Sequence, residues 1–389
     1  MGGGGILAED LDTEGSTIIV GNIIRSNHCD GGTPGIMCSK SLVLNNTISS
    51  NTLSGWGTST AGIRATSSVI VGNTIADHAG YAIAAGGDSS IVSDCTIVHN
   101  VTGLSIGGKQ SIALRNLIAY NSWGVVPYDG SLISGSLIAG NGDLWEEYTA
   151  IWIRNSARIE NCTIVGSWSY CGHSCAIYVM EGFFPTVRTV ISNCIIGNNR
   201  VRISIKLFPF AGDSLSLCLH NNILGGRDSV LADPYCGFWG PGNIDADPLF
   251  VDPGHWDDGG TPTQLFDDTF TLGDYHLLPG SPCIDAGTND VDNPDTPEIE
   301  ALPDTDIAGL PRIIDGNLDG TATVDIGAYE YLPGDVNYDG RVNVLDLILV
   351  RNSLGRDPAS SIEARKADVN ADGSVNVQDL LVVRGGLGR

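Results

Sequence analysis

Short apolar runs recur from Gly5 to Leu207: GILAED, GIMCSK, GIRATS, AIAAGG, GLSIGG, GVVPYD, AIWIRN, AIYVME and RISIKL. Their apolar residues align as Ile6, Ile36, Ile63, Ile83, Leu104, Val125, Ile151, Ile177 and Ile203, at steps of 30, 27, 20, 21, 21, 26, 26 and 26 residues. A second column runs beside the first: Asn22, Asn46, Asn73, Cys95, Asn116, Ser136, Cys162, Cys194 and Asn222, each followed two residues later by Ile or Leu, from Ile24 to Leu224. Repeats of this length cannot bury an apolar face alone and must stack on their neighbours. Two registered strand columns with loops of varying length between them specify an all-β solenoid, a parallel β-helix. A sandwich would give short strands without the double register. Inside such a turn, each Asn amide can bond the rungs above and below. Six of the nine column residues have another Asn five positions on, from Asn27 to Asn199. Asn tolerates the left-handed conformation that a sharp corner needs.

Side chains alternate along a strand, so the outward positions follow from the inward ones. Trp152, Arg154, Tyr178, Arg202 and Lys206 are expected to share one outward patch, with Tyr128 beside them. The loop residues Trp145, Glu146, Tyr148, Trp168, Tyr170, His173 and Glu181 are expected to wall it. Aromatic faces next to guanidinium and ammonium groups suit sugars, uronates above all, because a uronate carboxylate needs a cationic clamp. If the patch is catalytic, Lys206 or Tyr178 is the candidate base and Arg154 or Arg202 the candidate stabiliser of a uronate anion. Hydrolysis would instead need paired carboxylates. Asp257 and Asp258 are adjacent in GHWDDGG but lie outside the strand columns. A non-catalytic adhesive or structural rod is the competing reading.

Charge is concentrated beyond the repeats. The formal net charge is −25, and residues 246–331 hold 19 Asp and Glu against the single basic residue Arg312. Such a balance disfavours nucleic acid as a partner. No apolar run of about 18 residues is present, so no helical membrane span is expected. The opening MGGGGILAED lacks the basic and apolar regions of a signal peptide, and a segment upstream of it is expected. Cys29 with Cys38, Cys171 with Cys175, and Cys236 with Cys283 are candidate disulfides. Cys95, Cys162 and Cys194 sit in the Asn column and are expected to be buried thiols.

The chain ends on a tandem motif, GDVNYDGRVNVLDL from Gly334 and ADVNADGSVNVQDL from Ala367. An EF-hand-like calcium loop takes oxygens from positions 1, 3, 5, 7, 9 and 12, with glycine at 6. The first copy offers Asp335, Asn337, Asp339, the Arg341 carbonyl, Asn343 and Asp346 around Gly340. The second offers Asp368, Asn370, Asp372, the Ser374 carbonyl, Asn376 and Asp379 around Gly373. A helix is expected after each loop, closed by glycine.

These features carry three resemblances. Residues 1–245 resemble right-handed parallel β-helix repeat proteins, similar in fold to pectate lyases. Residues 246–333, with NIDADPLFVDP, DYHLLPGSPCIDAG and VDIGAYEY, resemble the endings of secreted bacterial β-helix proteins and are expected to cap the open end of the stack. The aspartates of NDVDNPD and DGNLDG there are candidate sites for further calcium. Residues 334–389 resemble a type I dockerin. That resemblance implies two bound calcium ions, a cohesin partner on a scaffold or cell surface, an extracellular location and association with polysaccharide degradation. The sequence departs from cellulosomal dockerins at loop positions 10 and 11. Hydroxyl residues are usual there, and here stand Val344 and Leu345, then Val377 and Gln378. The usual basic pair is Arg351–Asn352 and Arg384–Gly385.

Overall fold

The computed structural model describes residues 5–8, 17–30, 32–54, 60–143, 149–169, 175–180, 189–201, 203–208, 216–232, 237–260, 268–291 and 302–388. The rungs stack into three parallel sheets of ten, ten and nine strands. The inward column of the first sheet runs Ile36, Ile63, Ile83, Leu104, Val125, Ile151 and Ile177, each level with the next. One rung later the register differs from the simple alignment. Ile203 lies level with Cys175, and Ile205 with Ile177. A slip of two residues keeps every side chain on its own face. Ile205 is therefore the buried core residue, and Lys206 comes level with Tyr178.

The third strand of each rung is not visible in the two columns. Its inward residues are Ile19, Val43, Ile70, Val92, Ala113, Ile133, Ile159, Ile191 and Cys218, three positions ahead of the Asn column. The Asn column is a hydrogen-bonded ladder. Asn46 Oδ1 accepts the Asn22 N–H at 2.9 Å, Asn73 Oδ1 accepts that of Asn46 at 2.9 Å, and Asn116 Oδ1 that of Cys95 at 3.0 Å. The Nδ2 groups donate to the Ile19, Val43 and Val92 carbonyls. Leaving one such buried group unpaired costs about 1–3 kcal/mol, which explains why the position accepts only side chains that can bond. After Cys194 the member is Asn221 and not Asn222: the Cys194 N–H donates to Asn221 Oδ1 at 2.8 Å, and the ladder runs on to Asn243, whose Oδ1 accepts the Asn221 N–H at 3.0 Å. Asn222 instead donates to the Ala246 carbonyl and to Cys283 Sγ.

The corners are turned one residue before the ladder. Asn45, Asp94, Arg115, Asn161 and Asn193 have φ of 50, 55, 50, 49 and 52°. The Asn residues five positions on are therefore not the left-handed corners. They form a second ladder, in which the Asn27 N–H donates to Asn51 Oδ1 and that of Asn100 to Asn121 Oδ1, both at 2.9 Å. His78 fills the gap in this ladder. Its Nδ1 accepts the Asn51 N–H at 3.1 Å, and its own N–H donates to Asn100 Oδ1 at 3.1 Å.

The acidic segment after the repeats lies along the outer face of the third sheet, not simply across the open end. Leu137, Ala139, Val165 and Ile195 point out of that sheet and are buried against Phe250, Tyr275, Leu277, Cys283, Ile326 and Tyr331. On earlier rungs the equivalent Thr47 and Thr74 are exposed. The sheet thus changes from one-sided to two-sided burial, and its strands change with it to continuous apolar runs such as LIA and IIG. Two antiparallel pairs, Phe250–Asp252 with Asp274–Leu277 and His255–Asp257 with Thr269–Thr271, build this layer. Arg312, buried, fastens it to the solenoid. Its Nη1 donates to Glu330 Oε1 at 2.8 Å and its Nη2 to the Asn161 carbonyl at 3.3 Å.

Among the described residues, Cys29, Cys38 and Cys283 are free, buried thiols, as are Cys95, Cys162 and Cys194. The expected Cys29–Cys38 disulfide is therefore not formed, the two lying on strands of different sheets. Cys171 and Cys236 lie outside the described residues. Helices α1 (Val344–Ser353), α2 (Ile362–Ala367) and α3 (Val377–Gly386) complete the chain.

Candidate functional site

Strands Trp123–Tyr128, Ile151–Arg154, Cys175–Met180 and Ile203–Phe208 lie side by side in the first sheet. Their parallel register gathers the outward aromatics and cations. The Arg154 guanidinium stands 4.3 Å from the Trp152 ring centre. Trp152 in turn meets Trp123, with ring centres 4.3 Å apart. Lys206 Nζ is 5.6 Å from the Tyr178 ring centre, and Tyr128 lies level with Arg154. Burial pushes the Tyr128 phenol up. Each cation rests over an electron-rich ring face, which orients it as well as attracting it.

Below this shelf the outward side chains are small. Ala84 and Ser105 continue the column of Trp152, and Gly86 and Gly107 that of Tyr128. At Gly107 any Cβ would meet the Tyr128 ring at 2.1 Å, so the ring can lie flat only over glycine. Arg64, level with Ala84, bounds the far side. The outcome is a face of small side chains beside an aromatic, cationic shelf.

Trp168 sits on the short strand Trp168–Ser169 that approaches Cys175–Met180. Trp145, Glu146, Tyr148, Tyr170, His173, Glu181 and Arg202 lie outside the described residues. Asp257 and Asp258 are not brought to the patch. They belong to the layer on the third sheet, and each accepts an amide of its own turn, from Gly259 and Gly260 at 3.0 Å. A cleft unseen from sequence, about 620 Å³ in volume, opens between the third sheet and that layer, lined by Asn198, Leu224, Asp245, Asp247, Phe250 and Pro253.

The two terminal loops have one hydrogen-bond plan. In the first, Asp335 accepts the amides of Asp339 and Gly340, Asn337 Oδ1 accepts that of Asp339, and Asp339 Oδ1 that of Arg341. In the second, Asp368, Asn370 and Asp372 repeat each bond with Asp372, Gly373 and Ser374. Asn343 and Asn376 cap α1 and α3, and Asp346 and Asp379 complete each capping box, accepting amides at the third and ninth loop positions, Asn337 and Asn343, then Asn370 and Asn376. The fourth residues, Tyr338 and Ala371, are left-handed at φ 58 and 53°. Among the described residues no group of three His, Cys, Asp or Glu is drawn together as a metal cluster. The loops offer a mixed set instead: carboxylates, amide oxygens and a carbonyl, the hard donors that suit calcium. Burial and neighbouring carboxylates raise Asp335 and Asp368, the more so in the first loop's company of Asp346 and Asp339 and the second's of Asp379 and Asp372.

Residues 333–387 match the family model of the Dockerin type I domain, and residues 61–208 that of the Right handed beta helix region. The chain is a parallel β-helix with a C-terminal type I dockerin. Among solved structures, the pectate lyase Pel9A aligns over 84% of this chain and 88% of its own, with 13% identity and a TM-score of 0.34. No curated protein matches the chain. Type I dockerins bind calcium in general, and their partners are cohesins. The dockerin helices leave Val344, Leu345, Ile348, Leu349, Val377 and Leu381 exposed.

A third loop, outside the dockerin, follows the same plan. In DGNLDGT, Asp315 accepts the amides of Asp319 and Gly320, Asn317 Oδ1 that of Asp319, and Asp319 Oδ1 that of Thr321. Leu318 is left-handed at φ 62°. The carboxylate that bonds the third and ninth amides here comes from another segment: Asp285 accepts from Asn317 at 2.7 Å and from Thr323 at 3.3 Å. Sequence alone does not join Asp285 to this loop, because thirty residues separate it from Asp315.

Proposed function

We propose that this is an extracellular carbohydrate-active protein whose first-sheet outer face takes an acidic polysaccharide while its dockerin anchors it to a cohesin-bearing scaffold or surface. The observation that carries the glycan reading is the packing of Arg154 on Trp152 and of Lys206 by Tyr178 on adjoining rungs. Sugar rings stack on the aromatics and uronate carboxylates pair with the cations. The face favours β-elimination over hydrolysis. Tyr178 or Lys206 removes the proton next to the uronate carboxylate, Arg154 stabilises the resulting anion, and the electron pair forms a C=C bond as the glycosidic oxygen leaves and takes up a proton. Arg202 is a further candidate stabiliser from the sequence. The competing reading, a non-catalytic adhesin, draws on Trp123 and Trp152 packing rung against rung. Incubation with a panel of polyuronates separates the two. Unsaturated products absorbing in the ultraviolet support the lyase, new reducing ends without unsaturation support a hydrolase, and retention on the glycan without either supports the adhesin.

For calcium, the ligands we propose are Asp335, Asn337, Asp339, the Arg341 carbonyl, Asn343 and Asp346 in the first dockerin loop. Those in the second are Asp368, Asn370, Asp372, the Ser374 carbonyl, Asn376 and Asp379. Asp315, Asn317, Asp319, the Thr321 carbonyl and Asp285 are the proposed set for a further ion in the acidic layer. Their bonding, shared with the dockerin loops, supports this reading. Calorimetric titration of the whole chain should then give three equivalents, falling to two in Asp315→Ala. Two equivalents in both proteins would remove the third site.

A further inference from the structure

We propose that calcium occupancy of the dockerin is coupled to the order of the acidic layer on the third sheet, so that dockerin and β-helix respond to calcium as one body. The inference rests on the calcium reading of the dockerin loops. It starts from the junction. Residues 331–336, where a dockerin would need a tether to move independently, are all buried. Leu310 and Leu332 of the layer belong to the same apolar cluster as Val336, Val342, Val350, Ala367, Val375 and Val383 of the dockerin. A shared core leaves no plane along which the two can part without exposing apolar surface.

The calcium loops themselves face the layer. Tyr338, fourth in the first loop, donates from its hydroxyl to the Leu277 carbonyl at 3.0 Å. Its ring centre is 5.0 Å from that of His276, which meets Tyr329 in a tilted ring contact at 4.3 Å and bonds Asp274 Oδ1 at 2.6 Å. Lys366 of α2 lies over the Tyr338 ring, 4.8 Å from its centre. Ala371, fourth in the second loop, comes to the same segment: a Cβ added at Gly280 would stand 3.0 Å from the Ala371 methyl. Both fourth residues thus touch residues 277–280, and both hold a left-handed conformation that is costly for a non-glycine residue. Strand Asp274–Leu277 then carries the contact inward. Tyr275 and Leu277 pack on Leu137, Val165 and Ile195 of the third sheet. The route from loop to solenoid is a run of direct contacts. The ligand-bearing loops and the third sheet are its two ends, and the layer lies between them.

The consequence is a linkage. A loop that loses its ion loses the carboxylate compensation that keeps Tyr338 and Ala371 in place, and residues 274–280 lose their cover. A docked cohesin, for its part, would meet a β-helix held at a fixed angle.

The test is amide hydrogen exchange of the full chain in calcium, read at residues 274–280, with ion stoichiometry measured in parallel. Asp368→Ala should lose one ion and speed exchange there at least tenfold, although the substitution lies in the dockerin. Tyr338→Ala, which removes no proposed ligand, should keep every ion and still speed exchange at 274–280. Loss of an ion in Asp368→Ala with unchanged exchange at 274–280 would overturn the coupling, even if the dockerin of that variant were unfolded. Absence of calcium binding in the unsubstituted chain would sink the calcium reading and the coupling with it.

Discussion

Arg312→Ala offers the sharpest test of how the acidic layer is held. Arg312 is 2% exposed and its partner Glu330 3%. The guanidinium donates to Glu330 Oε1 and to the Gly327, Ala328 and Asn161 carbonyls. Removing one partner of a buried ion pair costs about 3–5 kcal/mol, because a buried charge is left without compensation, whereas replacing both by apolar groups is close to neutral. Arg312→Ala should therefore destabilise the chain by about 3–5 kcal/mol at a pH where Glu330 is ionised. The double variant Arg312→Met with Glu330→Leu should recover most of it. The loss should also depend on pH. Burial, then Asp325, already raises Glu330 well above its ordinary value, and burial holds the Asp325 carboxyl up to about 8. A carboxyl raised in the native state binds its proton more tightly than in the unfolded chain. Its contribution is most favourable below the unfolded value of about 4 and is lost as pH rises toward the native one. Removing the cation should raise both groups further, so the defect should shrink on acidification from pH 8 to pH 5. Urea unfolding followed by tryptophan fluorescence reads it. A loss below about 1 kcal/mol, or a double variant as unstable as the single, would refute the reasoning.

Trp152→Ala should weaken retention on an acidic-glycan gel with the circular dichroism unchanged, and unaltered retention would remove this face as the sugar site. Binding through Arg154 should weaken as salt rises, since its exposed charge is screened over about 8 Å at physiological ionic strength, whereas Lys206 is buried and screened less, and a salt-independent affinity would argue for a neutral glycan. His78 is lowered by burial, so the unfolded chain takes its proton first. Stability should fall as pH drops below about 6.5, the ordinary histidine value. His78→Asn should abolish that part of the acid sensitivity, as thermal melts at pH 7 and pH 5 would reveal.

The solenoid was legible in the sequence because stacking forces identical positions to recur, and the inward isoleucines and ladder asparagines recorded that constraint rung by rung. The two dockerin loops were legible for a related reason: their donors lie within twelve consecutive residues, so local order alone spells out the bonding. Where a residue could satisfy the pattern in two ways, sequence chose by spacing and the structure by contact. Asn221 was preferred to Asn222 because it reaches the Cys194 amide, and Ile205 to Ile203 because it lies level with Ile177. His78 escaped notice in the second ladder because an imidazole nitrogen can accept the bond that an amide oxygen accepts elsewhere. What no spacing recorded are the unions between distant segments. Asp285 joins the loop at Asp315, Arg312 reaches the Asn161 carbonyl, and Tyr338 reaches Leu277. Each of these contacts costs chain entropy that local sequence cannot reveal. Each is decided by where the acidic layer folds back, along the third sheet's apolar outer face.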